Sequence, residues 1–423
     1  MPRSESDKSL IRDKLTASST ACALPWIHLH STPEGAAAPC CISASCGTPT
    51  GMGDTKKQRL MELVNSPKMK QLRLDMLDGK RNDECVICYN QEDVGIISNR
   101  QTSFSAHPSA IDDICDFTSD DGSLEHFNMR YFDVRFSNIC NFKCRSCGQE
   151  YSTQWEQENS RANVSYAREI AKNNNKEFLQ DILDQIPNME IAYFAGGEPL
   201  ITDQHYIILE EMIRQKKTDV ILRYNTNLSN LKFKNKDLLE LWRHFDHNIQ
   251  LSASIDHVKE RAEYIRHGTD WGVIESSFLL VKQQPNITVQ INTVLTLFNY
   301  LTIDQFYGYL IDNGMYTAWD DIYQLYNTAH PKHISVRTLP VEYKQRGKES
   351  VARAINIMRE NCFNDGLNRG HFAQLENTNL WVDGEHNWEE EKESFKNEIN
   401  RVDLLRGEDF RKTFPELAPL LDL

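Results

Sequence analysis

Residues 131–147 read YFDVRFSNICNFKCRSC. The first half alternates. Phe132, Val134 and Phe136 fall on one face of an extended chain and polar residues on the other, the period of a half-buried β-strand. The second half sets Cys140, Cys144 and Cys147 at spacing Cys-x3-Cys-x2-Cys directly after that strand. A closed zinc or iron–sulfur site normally takes four ligands, and no fourth cysteine or histidine follows nearby. A fragment of a zinc ribbon, or incidental loop cysteines, are the plainer alternatives to a deliberately open cluster.

Five more β-prone runs follow: MEIAYFA (189–195), DVILRYN (219–225), NIQLSAS (248–254), NITVQINTVLT (286–296) and HISVRTL (333–339). Helical stretches such as ITDQHYIILEEMIRQKK (201–217) and HVKERAEYIRHG (257–268) lie between them. Strand and helix alternating over roughly residues 129–345 are the pattern of βα units on a parallel sheet, so the fold class is α/β. Four polar motifs each close a strand: the cysteine loop the first, AGGEP (195–199) the second, YNTN (224–227) the third and SID (254–256) the fourth. In a βα barrel the carboxyl ends of the strands share one face, and sites are built there.

Around this frame the chain reads as a flexible tail (1–20), a small cysteine-rich domain (21–92), a polar linker (93–128) and a helical carboxy-terminal segment (346–423). Within the cysteine-rich part, the helical stretch at 56–80 breaks at Pro67. The polar start has no apolar leader core, and no run of about 18 apolar residues occurs, so a cytoplasmic protein without membrane contact is expected. A formal charge of −14 argues against a broad nucleic-acid grip, which draws on a basic face. Eleven cysteines, most of them clustered, point to metal rather than disulfides in a reducing compartment.

Cys-x3-Cys-x2-Cys after a first strand, with Gly-Gly-Glu-Pro after the second, resembles the radical S-adenosylmethionine (SAM) superfamily over roughly residues 129–345. The resemblance implies a partial (β/α)6 TIM-type barrel. In it, Cys140, Cys144 and Cys147 hold a [4Fe–4S] cluster whose free iron chelates the amino and carboxylate groups of SAM. Gly196 and Gly197 would let the backbone come close, since no Cβ intrudes. The loop around Glu198 and Pro199 would accept hydrogen bonds from the SAM ammonium. Asn225, Thr226 and Asn227 resemble the segment beside the ribose, and Ser254 and Asp256 the Ser-x-Asp of the next strand. Arg266 stands where an arginine often reaches the SAM carboxylate; a surface helix arginine is the alternative. Ser146 departs from the family, which usually has an aromatic residue there near the adenine. Phe142 could compensate, or simply pack.

The amino-terminal cysteines form a second group. Cys22 and Cys40 precede Cys85-x2-Cys88, with twelve residues between Cys22 and Gly35 and four between Gly35 and Cys40. By spacing alone, four thiolates suit zinc as well as iron. The pattern also resembles the auxiliary-cluster motif of SPASM and twitch domains, and the shorter twitch form fits a single four-ligand set. It implies an auxiliary [4Fe–4S] cluster. In most relatives that domain follows the barrel; here it comes first. Cys41 and Cys46 are spare, and either could replace an assigned ligand. His28 and His30 alternate with Ile27 and Leu29 and read as strand-surface histidines rather than ligands. Cys115 and Cys362 read as ordinary, with a hydrogen-atom donor as the sharper alternative.

The implied activity is reductive cleavage of SAM to methionine and a 5′-deoxyadenosyl radical, which abstracts hydrogen from an unactivated C–H bond. With the auxiliary cluster as electron acceptor, the outcome would be net oxidation, a dehydrogenation or a cross-link, of a peptide, a protein or a polar small molecule. A reductant such as flavodoxin or ferredoxin is the implied partner. Radical modification of RNA or a nucleotide is the first alternative; a zinc-stabilised, non-enzymatic interaction protein is the remote one.

Overall fold

Short apolar strands alternating with helices build a mixed α/β protein with a large, mostly parallel sheet. The computed structural model describes residues 4–48, 51–162, 173–246, 249–316, 323–328, 330–361, 365–384 and 387–423. The chain divides into two compact units. One comprises Met1–Ile139, Asn163–Tyr224 and Leu239–Ile249; the other comprises Cys140–Ala162, Asn225–Leu238 and Gln250–Leu423.

In the first unit the strand Tyr131–Val134 lies parallel between Ile191–Phe194 and His28–Ser31. Ile221–Thr226 continues the parallel order, with Phe194 opposite Tyr224. Ala36–Ala38 and Gly53–Asp54 add antiparallel to the 28–31 edge. The amino-terminal cysteine segment therefore extends the sheet: His28 faces Tyr131 and His30 faces Asp133 across the register. His28 and His30 are each only 1% exposed, which corrects their reading as strand-surface residues. Asp133, on the polar face of the opening motif, is equally buried, because this sheet is covered on both sides.

Pro67 divides the 56–80 stretch as expected, into Leu60–Val64 and Pro67–Leu77, and sits in the first turn where its missing N–H is harmless. Two expectations fail. Residues 1–20, read as a tail, carry the helix Glu5–Ala17, capped by Ser4 and anchored by buried Ile11. Residues 93–128, read as a linker, carry Asn99–Ala106, opened by a Ser98/Gln101 capping box, and Ala110–Phe117, which buries Ala110, Ile114 and Cys115.

Ile249–Ser254, Ile287–Leu295 and Tyr323–Asn327 are neighbouring strands, and the last two run parallel. HISVRTL is not the sixth strand. It forms two 3-10 turns, Lys332–Ile334 and Val336–Thr338, the second capped by Ser335. The carboxy-terminal segment is helical as expected, with Val341–Asn361, Asp365–Val382 and Trp388–Arg406. No helix among the described residues is long and apolar enough to cross a membrane.

Candidate functional site

In the first unit, Cys22, Cys40, Cys85 and Cys88 line one cavity of ≈ 260 Å³. Three separated segments deliver them. Cys22 precedes the short helix Leu24–Ile27, Cys40 follows the 36–38 strand, and Cys85 and Cys88 open the helix Val86–Asp93. One water needs about 15 Å³, so the cavity has room for more than a single ion. Burial raises the thiols, Cys22 to about 11, Cys85 to about 12 and Cys40 well above its usual value. Neighbouring thiols push in the same direction: Cys88 on Cys22, and Cys22 on both Cys40 and Cys85. Crowded thiols that resist ionising alone fit a metal core that neutralises them together. Cys41 lines the same cavity, but the charges acting on it are chiefly Asp133 and Arg135, which also act on Cys46. The cavity thus brings the four expected cysteines together with the spare Cys41, whereas Cys46 is not among the residues lining it. Among the described residues, no three His, Cys, Asp or Glu side chains converge as a single-ion site would require.

Arg100, which sequence reasoning missed, lies within the supposed linker and lines this cavity. It is 6% exposed; Nη1 donates to the Ala21 carbonyl at 3.0 Å and Nη2 pairs with Glu92 at 2.5 Å. Its charge lowers the Cys22 and Cys85 thiols against the larger effect of burial. The Ser98-x-x-Gln101 capping box was the available signal for the helix that presents it. His28 faces the cavity as well. Its Nδ1 donates to the Tyr131 carbonyl at 2.9 Å, and burial lowers its pKa to about 4, which keeps the ring neutral.

The AGGEP segment is also in the first unit. Gly196 has φ +109°, a region that side chains rarely adopt. A Cβ on Gly197 would stand 2.2 Å from the Ile139 carbonyl oxygen, and Glu198 N donates to that oxygen at 2.6 Å. The two glycines therefore let this loop press onto the residue just before Cys140. Glu198, 1% exposed, turns inward and accepts from Leu200 N at 3.0 Å, capping the turn Pro199–Ile201.

In the second unit Lys143–Cys144 pairs antiparallel with Arg266–His267, placing Arg266 opposite Cys144. Arg266 Nη1 lies 3.6 Å from Cys144 Sγ, and Nε lies 2.8 Å from Asp256 Oδ2. The side chain is 12% exposed, so Arg266 is not a surface helix arginine. Asp256 also accepts from Val294 N at 2.8 Å. A hydrogen bond from Cys147 and the Arg266 charge together hold Cys144 below the usual thiol value despite burial. Phe142 N donates to Cys140 Sγ at 3.4 Å. Asn227 Nδ2 donates to Asn141 Oδ1 at 3.0 Å, tying the YNTN segment to the cysteine loop. Phe142 is buried against Gly268, a packing role. Asn225 and Ser254 are half-buried. Cys115 is buried in its helix, and Cys362 lies outside the described residues.

Residues 22–89 match SPASM, an iron–sulfur cluster-binding domain. No curated protein matches the chain. Among solved structures, native anSMEcpe with bound AdoMet is similar at 18% identity and a TM-score of 0.37, over 55% of this chain and 60% of that one. Streptococcus suis SuiB bound to S-adenosylmethionine is similar at 14% identity and a TM-score of 0.37, over 69% of this chain and 63% of that one. The chain spans 60% and 63% of the length of these two structures. The matched segment holds Cys22, Cys40, Cys85 and Cys88, in agreement with the expected iron–sulfur cofactor.

Proposed function

We propose that the protein is a cytoplasmic radical SAM oxidoreductase of twitch type, built on a partial (β/α)6 barrel. Its two cysteine sets are unequal, three thiols in one loop and, around one cavity, Cys22, Cys40, Cys85 and Cys88 with the spare Cys41 beside them, and this is the observation that carries the proposal. Cys140, Cys144 and Cys147 would supply three thiolates to a [4Fe–4S] cluster able to take SAM, and Cys22, Cys40, Cys85 and Cys88 would supply four to an auxiliary cluster. Bound SAM, reduced by one electron, would supply the 5′-deoxyadenosyl radical that takes hydrogen from an unactivated C–H bond.

The chain's own residues do the holding. Gly196, Gly197, Glu198 and Pro199 would offer backbone oxygens to the SAM ammonium, and Arg266 would offer its guanidinium to the carboxylate. Asp256 fixes the orientation of Arg266, while Asn225, Asn227 and Ser254 stand at strand ends suited to the ribose. Arg100 offsets negative charge on the four-cysteine set, which would hold an auxiliary cluster able to supply one-electron acceptance for a net oxidation. The substrate class is a peptide, a protein or a polar small molecule, and flavodoxin or ferredoxin is the reductant. The match of 22–89 to an iron–sulfur family weighs against the zinc alternative.

The test is release of 5′-deoxyadenosine from SAM by the anaerobically reconstituted chain with dithionite. Wild type releases it and the Cys140/Cys144/Cys147→Ala variant does not. Equal background release from both would overturn the proposal.

A further inference from the structure

The loop carrying the three-cysteine set is gripped by residues some 260 positions further along the chain. All of them belong to the second unit. On one side of Cys144, Arg145 Nη2 lies 2.5 Å from Asp403 Oδ1 and 2.5 Å from Glu408 Oε2. Its guanidinium sits 3.7 Å over the Tyr264 ring, and its backbone N donates to the Ile265 carbonyl at 2.8 Å. On the other side, the Lys143 carbonyl accepts from Arg406 Nη1 at 3.0 Å. Lys143 Nζ and Arg406 Nη2 share the Glu158 carboxylate, at 2.5 and 2.8 Å. The Arg406 guanidinium lies 4.6 Å over Trp155, whose Nε1 donates to the Cys144 carbonyl at 2.8 Å. Glu408 also takes His267 Nδ1 at 2.5 Å, on the strand that faces Cys144, and Asp403 takes the Tyr264 hydroxyl at 2.7 Å.

Both neighbours of Cys144, and both strands of its ribbon, are therefore tied to residues 403–408. The Arg145 and Arg406 side chains are 5% and 0% exposed. Buried ion pairs add little net stability compared with apolar packing. What forked guanidinium–carboxylate contacts supply is fixed geometry. The helix Trp388–Arg406 stops at Gly407, φ +67°, so that Arg406 and Glu408 can turn back toward the loop.

We propose that residues 403–408 form a carboxy-terminal latch that positions the three-cysteine loop, with Arg145 and Arg406 as positioning residues for the cluster bound there. The proposal rests on Cys140, Cys144 and Cys147 being its ligands. The latch holds Cys144 against Arg266, so loosening it changes the cluster's surroundings while the four-cysteine set stays intact.

The test compares full-length wild type, Asp403→Asn/Glu408→Gln, Arg406→Gln and Cys140/Cys144/Cys147→Ala after anaerobic reconstitution. The readout is the EPR spectrum of the dithionite-reduced chain with and without SAM. The signal missing from the triple cysteine variant identifies the open cluster. In both latch variants that signal is expected to lose intensity or its SAM-induced change in line shape, with the auxiliary signal and circular dichroism unchanged. Wild-type intensity, line shape and SAM response in both variants would overturn the latch. Should either variant fail to fold, Arg145→Lys decides on the same readout, because lysine keeps the charge without spanning both carboxylates. Arg411→Gln, which breaks the exposed pair with Asp422, is expected to leave the signal unchanged. If no wild-type signal is missing from the triple variant, the ligand assignment itself fails, and the latch with it.

Discussion

Asp256→Asn isolates the buried charge pair beside Cys144. The carboxylate is 1% exposed, holds Arg266 Nε at 2.8 Å through Oδ2 and accepts Val294 N at 2.8 Å through Oδ1. Asparagine keeps an oxygen for Val294 and removes only the charge. Breaking a buried pair from one side costs about 3–5 kcal/mol, because the other charge stays buried. For a unit of this size each kcal/mol moves Tm by about 2–4 °C. At the lower cost, the variant is expected to melt roughly 6–12 °C below wild type. The assay is calorimetry of the metal-free chain under reducing, anaerobic conditions, so that bound metal adds no stability of its own. Asp256→Asn combined with Arg266→Met removes both charges and is expected to recover most of the loss. A single variant melting within about 1 °C of wild type would refute a low-dielectric ion pair, as would a double variant as unstable as the two singles summed.

Gly197→Ala would drive a Cβ to 2.2 Å from the Ile139 oxygen, and a backbone shift costing about 1–3 kcal/mol is expected. It is checked by the urea midpoint against Gly272→Ala, whose Cβ meets nothing nearer than 3.5 Å; equal midpoints would contradict the close approach. Arg100→Gln removes the buried cation beside the four-cysteine cavity. Spectropotentiometry is expected to show the auxiliary potential falling by tens of millivolts, about the 59 mV of a tenfold one-electron effect, and a rise would contradict it. His257 is 2% exposed; its Nδ1 accepts from Val258 N at 2.8 Å and its Nε2 donates to Thr302 Oγ1 at 3.1 Å, and burial lowers its pKa to about 3. The folded state resists a proton that the unfolded chain takes up below about pH 6.5, so stability falls on acidification from there toward pH 3. At pH 5 the loss is about 2 kcal/mol, read from urea midpoints at pH 7.5 and 5, and His257→Asn is expected to lose less.

Much of the frame is legible because strand alternation and strand-end motifs are local signals. Five of the six expected strands form near their predicted places, at 131–134, 191–194, 221–226, 249–254 and 287–295. HISVRTL misleads for a physical reason. Ile334, Val336 and Leu339 are all buried, but Ser335 caps a tight turn between them, and burial in successive 3-10 turns imitates strand alternation. The helices at 99–106 and 110–117 were obscured by Ser- and Asp-rich composition, which serves caps as readily as linkers. At the sites, the four cysteines singled out from the sequence share one cavity, and so does Cys41, which the sequence left as spare. Spacing did not disclose Arg100 or the burial of His28, because both depend on pairing between segments far apart in sequence. The grip of Asp403, Arg406 and Glu408 on residues 143–145 was equally hidden: an ion pair 263 residues apart leaves no periodic trace.

Iron and acid-labile sulfide per chain after anaerobic reconstitution test the central claim most directly. Wild type, Cys140/Cys144/Cys147→Ala and Cys22/Cys40/Cys85/Cys88→Ala are measured side by side. Two [4Fe–4S] clusters predict about eight irons and eight sulfides in wild type and about four of each in either variant. Zinc without sulfide at the amino-terminal set, or a wild-type iron content that the 140–147 substitutions leave unchanged, would contradict the account.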